Sequence, residues 1–109
     1  MEPGQGIAET LILLDIVFRE SAAHQLREAQ GWYESQRAGL GAEFARSLEA
    51  VVHRIARQPE GAPLVWEDVR RAHLKRFPYS IFFIVETDRV VVLSCMHQRR
   101  DPAGWPPSS

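Results

Sequence analysis

The 109-residue chain contains one cysteine, Cys95, so an internal disulfide is excluded. Cys95 lies within an apolar run and reads as a buried free thiol, which fits a reducing, cytoplasmic setting. A metal centre is not expected, because His24, His53, His73 and His97 stand far apart and no cysteine cluster accompanies them. No cofactor is expected either. The stretch from Ile7 to Phe18 is apolar, but Glu9 and Asp15 interrupt it and no basic residue precedes it. It is also too short to cross a bilayer, so neither a signal peptide nor a membrane anchor is expected. Internal repeats, low-complexity tracts and domain linkers are absent, and the whole chain carries only −1 of formal charge. These absences leave a single domain over 1–109, with a flexible N-terminal extension expected over 1–10 and a short tail over 106–109.

The last third of the chain departs from this balance. From residue 69 onward there are seven Lys or Arg against three Asp or Glu, a local balance of +4. Clustered positive charge suits recognition of a polyanion or an acidic partner. The cluster falls in two places, Arg70-Arg71-Ala72-His73-Leu74-Lys75-Arg76-Phe77-Pro78-Tyr79 and His97-Gln98-Arg99-Arg100-Asp101-Pro102.

The apolar pattern sets the order of elements. Leu11 to Arg19 reads as a strand with Ile12, Leu14, Ile16 and Phe18 on one face. Ser21 is the expected N-cap of a first helix, whose stripe is Ala22, Leu26, Ala29 and Tyr33, widened by Trp32. Ala38-Gly39-Leu40-Gly41 breaks it, with glycine where a left-handed residue is needed. A second helix follows, with Phe44, Leu48, Val51, Val52 and Ile55 inward and Arg46, Glu49, His53, Arg54 and Arg57 towards water. The short connection predicts an antiparallel helical hairpin.

Val69 to Phe77 alternates as a strand, with Arg71, His73 and Lys75 on one face and Arg70, Ala72, Leu74 and Arg76 on the other. Pro78 breaks it. Ile81 to Val85 and Val90 to Met96 are apolar on both faces, as central strands are, and Glu86-Thr87-Asp88-Arg89 joins them as a hairpin. The expected fold is α+β: a small antiparallel sheet in the order β-α-α-β-β-β with the helical hairpin on one face.

With these elements in place, four segments resemble the RelE/ParE superfamily of toxins from bacterial type II toxin–antitoxin pairs. They are Glu28 to Glu34, Gly39 to Phe44, Arg70 to Tyr79, and His97 to Pro102 with Trp105. The resemblance implies a growth-inhibiting, plasmid-stabilising toxin held in a hetero-oligomer with a cognate antitoxin. Two targets occur in the superfamily, DNA gyrase for ParE-like members and messenger RNA on the ribosome for RelE-like members. The Arg99-Arg100-Asp101-Pro102 ending, the absence of a tyrosine after Tyr79 and the low net charge are similar to the ParE-like branch. A gyrase-binding toxin that is not an enzyme is therefore expected. The alternatives are a messenger RNA endoribonuclease working through His97, Arg71, Lys75 and Tyr79, and a non-toxic member that only binds its partner. The expected target-binding residues are Arg71, His73, Lys75, Arg76, His97, Arg99 and Arg100. Trp32, Tyr33 and Phe44 are the expected antitoxin contacts, since aromatic side chains anchor protein interfaces.

Overall fold

In a computed structural model the described residues are 14–100, Arg100 by its backbone alone. Their order is β1 (Asp15–Phe18), α1 (Glu20–Gln36), α2 (Leu40–Arg57), a 3₁₀ turn (Pro59–Gly61), β2 (Leu64–Trp66), β3 (Val69–His73), β4 (Tyr79–Val85), β5 (Arg89–His97) and a closing 3₁₀ turn (Gln98–Arg100). The strands form one sheet in the order β1-β5-β4-β3-β2. The α+β class and the helical hairpin follow the sequence reading. Two features of the sheet differ from it. β1 joins β5 in parallel, with Ile16 opposite Val90 and Phe18 opposite Val92, so the sheet is mixed. β2, three residues long, pairs with β3 at the edge and has no counterpart in the expected order of elements.

Alternation along β4 divides the sheet into two faces. Ile81 and Phe83 join Ala72, Val90, Val92 and Cys95 beneath the helices, where Ala22, Leu26, Ala29, Phe44, Val51 and Ile55 complete the core. Ser80 and Phe82, which point the other way, are also fully buried, so β4 is enclosed on both sides as its apolar run predicts. A bulge near Phe82/Phe83 keeps β5 in step with this alternation. Leu14, Ile16 and Phe18 pack on the core as expected; Ile12 lies outside the described residues, as do 1–10, Asp101, Trp105 and the tail.

The helices are set by local chemistry, with one change. Arg19, in extended conformation, occupies the N-cap of α1 without a side-chain hydrogen bond. Ser21 is already inside the helix, and its hydroxyl donates to the Leu93 carbonyl at 3.4 Å instead. Further along, the Cys95 N–H donates to Gln25 Oε1 at 2.8 Å. β1 pairs only with residues 89–92 of β5, and α1 side chains thus serve the backbone of the remaining half.

Gly39-Leu40-Gly41 makes the sharp turn between helices. Gly39 has φ 92° and is the N-cap of α2. The Glu34 carboxylate reaches across from α1 and accepts the Gly39 N–H at 3.1 Å and the Gly41 N–H at 2.9 Å. It supplies the acceptor that glycine cannot, at the positive end of the helix dipole. A Cβ on Gly41 would sit 2.9 Å from Glu34 Oε1 and 3.1 Å from the Gln30 carbonyl, so this glycine is required for close approach.

Candidate functional site

The residues expected to form one basic surface fall into three places. Arg71 and His73 project from the sheet face away from the helices: they sit opposite Phe82 and Ser80 in the β3–β4 register. His73 Nδ1 lies 2.5 Å from Ser80 Oγ and 3.2 Å from Gln98 Nε2, which ties the start of the closing turn to that face. The Ser80 hydroxyl and the Gln98 side-chain amide can both donate to Nδ1.

Lys75 and Arg76 do not continue the strand. β3 ends at His73, and Arg76 adopts φ 74° in the turn towards β4. Leu74 and Phe77 are buried on either side, so the two cations between them are pushed outward. The Ser47 hydroxyl donates to the Lys75 carbonyl at 2.6 Å, pinning this tip against α2. Lys75 therefore lies beside the helical layer and not with Arg71 and His73, contrary to the expected alternation.

His97 closes the third place. It is opposite Tyr79 at the ends of β5 and β4, and the two rings meet edge to face at 5.1 Å. Its Nδ1 accepts the Arg99 N–H at 3.0 Å. Tyr79 and Phe82 are three residues apart on β4 and face opposite sides, so His97 and Arg71 are separated by the sheet itself. Arg70 serves the fold, donating to the carbonyls of Glu60 and Ala62 at 3.2 and 2.6 Å. The side chain of Arg100 is outside the described residues.

The aromatic set is continuous. Trp32 meets Tyr33 edge to face at 5.0 Å, Tyr33 stacks on Phe44 at 5.4 Å, and Tyr33 meets Tyr79 at 6.1 Å. Together with His97 these rings run from α1 to the ends of β4 and β5. Trp32, Tyr33, Tyr79 and His97 border an open groove of about 910 Å³ lined also by Glu28 and Pro78. Burial, and secondarily Tyr79, hold the Tyr33 phenol above its ordinary pKa, so it stays a neutral hydrogen-bond donor. Two corrections follow. Trp32 is 57% exposed and does not widen the core stripe, whereas Phe44 is 1% exposed and belongs to the hydrophobic core, where it backs Tyr33 without lining the groove.

Among the described residues no group of three or more His, Cys, Asp or Glu could hold a metal ion, and no helix is long and apolar enough to cross a membrane. Sequence reasoning did not find Glu34, Gln25, Ser47, Ser80 or Gln98. Each acts on a residue far away in sequence or in another element, and periodicity carries no signal for such pairings.

The fold and its surface define a small α+β domain whose distinctive chemistry is spread over separate places: an aromatic groove, a basic tip and a sheet face that carries Arg71 and His73. The family model for the ParE toxin of the type II toxin–antitoxin system, parDE, matches residues 16–102, and the chain belongs to that family. No curated protein matches it. A solved structure, the chromosomal ParDE TA system from P. aeruginosa, aligns with a TM-score of 0.68 at 17% identity, covering 78% of this chain and 96% of that one. That likeness is one of fold.

Proposed function

We propose that this ParE-family toxin acts by binding DNA gyrase and stabilising its cleaved-DNA state, and that a cognate antitoxin neutralises it by occupying the aromatic groove. The observation that carries the reading is the separation of His97 from Arg71 by the sheet, with Lys75 displaced to the β3–β4 tip. A ribonuclease needs a base, an acid and phosphate-holding cations converging on one phosphodiester. The residues named for that chemistry do not converge, and His97 Nδ1 is engaged by the Arg99 backbone. A binding mode requires no such convergence, and family membership supports it.

The test is induction of the protein alone in a bacterium. DNA-damage response and filamentation with intact transcripts are expected, together with gyrase-dependent plasmid cleavage by the purified protein. Transcript cleavage without DNA damage would overturn the reading in favour of the endoribonuclease. Unimpaired growth with neither signal would identify a non-toxic member.

A further inference from the structure

A pocket of about 380 Å³ opens between α2 and the β3–β4 tip, bordered by Glu43, Arg46, Ser47, Val51, Lys75 and Arg76. We infer that it is a phosphate-binding site that engages the backbone of double-stranded nucleic acid. This inference is independent of the gyrase reading, although a toxin acting on a cleaved-DNA complex would have a use for it.

The pocket is built from two elements whose sequence positions are about thirty residues apart. On α2, Glu43, Arg46, Ser47 and Val51 share a face at helical spacing. Opposite them, buried Leu74 and Phe77 anchor the tip while Lys75 and Arg76 stay outside, and Ser47 clamps the tip through the Lys75 carbonyl at 2.6 Å. Arg76 stands at φ 74°, a left-handed conformation that an arginine adopts only against a steric cost. Glycine would relax the turn. Arginine there places a guanidinium, 78% exposed, at the pocket mouth. Backbone strain at a charged, outward residue is the kind of outlier that points to function.

The charge balance favours an anion. Arg37, Arg46, Lys75 and Arg76 surround one carboxylate, Glu43, whose contacts with Arg37 and Arg76 are long, 3.7 and 4.0 Å. Pairs this long at the surface are weak and readily exchanged for a phosphate oxygen. Glu43 is thus a competing anion, whose loose contacts with Arg37 and Arg76 a phosphate displaces. The lining also separates nucleic acid from an acidic peptide. No aromatic ring lines the pocket, and lysine is depleted from the cores of protein interfaces. Exposed Arg and Lys side chains on a rigid support are the contacts that duplex phosphates receive.

The test is fluorescence anisotropy of the full-length toxin with a labelled 20-base-pair duplex of mixed sequence, titrated at several salt concentrations without gyrase. Wild type should bind, and Arg46→Ala with Lys75→Ala should weaken binding roughly tenfold at low salt and reduce the log–log salt slope by about 2, close to one per lost phosphate contact. Glu43→Gln should tighten binding, an effect of opposite sign that loss of structure cannot produce. Arg89→Ala, at the other end of the sheet, should match wild type, and circular dichroism melts should show every variant folded. Absence of duplex binding, or an unchanged slope in the double variant, overturns the inference. So does loss of antitoxin affinity in the double variant with duplex binding intact, which would assign the pocket to an acidic protein segment. Since gyrase is absent from the assay, none of these results bears on the gyrase reading.

Discussion

At the scale of single residues, Glu34 shows how a short polar contact fixes a turn. Its carboxylate accepts from Gly39 and Gly41 and lies against the space where a Gly41 side chain would be. Glu34→Ala should cost about 1–2 kcal/mol, as loss of an N-cap does, and Gly41→Ala about 1–3 kcal/mol through overpacking. Because both substitutions act on one contact, the double variant should be less unstable than the sum of the singles in urea denaturation. Cys95 is a second such case. Burial pushes its thiol from 9.0 up to about 12. The folded state therefore keeps a proton that the unfolded chain releases above about pH 9. The resulting stability is complete below that pH and is lost progressively as pH rises from about 9 to about 12. Denaturation midpoints across that range should fall in wild type and fall less in Cys95→Ala, and the native thiol should resist thiol reagents at pH 8.

At the scale of elements, the junction of α1 with β5 decides how the sheet ends. β1 covers one half of β5, and the other half meets Ser21 and Gln25 from α1. Gln25→Ala should leave the Cys95 N–H without its acceptor and cost about 1–2 kcal/mol, read as a lower urea midpoint with unchanged m. The helical stripe Ala22, Leu26, Ala29 was legible from its 3.6-residue period, and so were Phe44, Val51 and Ile55. Trp32 was not: it adjoins the stripe in sequence, but its ring stands 57% exposed outside the core. The paired alternation of Arg71, His73 and Lys75 held only as far as His73, because a positive φ at Arg76 and a buried Phe77 end the strand regularity earlier than composition suggests.

At the scale of the whole molecule, this ParE-family toxin presents different chemistry on different sides. Trp32 offers a large exposed ring at the mouth of the aromatic groove. Trp32→Ala should leave thermal stability within about 0.5 kcal/mol of wild type, as exposed substitutions do. It should weaken the antitoxin complex by about 2 kcal/mol or more, as loss of an aromatic anchor does, measured by calorimetric titration. Unchanged antitoxin affinity would remove the groove from the interface.

The amino-acid sequence alone determined the α+β order, the helical hairpin, the two central strands and the glycine turn, because each rests on periodicity or backbone chemistry within one segment. Tertiary structure alone decided the parallel pairing of β1, the short edge strand β2 and the partners of Glu34, Gln25 and Ser47. It also decided that Arg71 and His97 would stand on opposite sides of the sheet. Charges near in sequence read as one patch, but strand alternation and a single left-handed residue send neighbouring side chains in different directions.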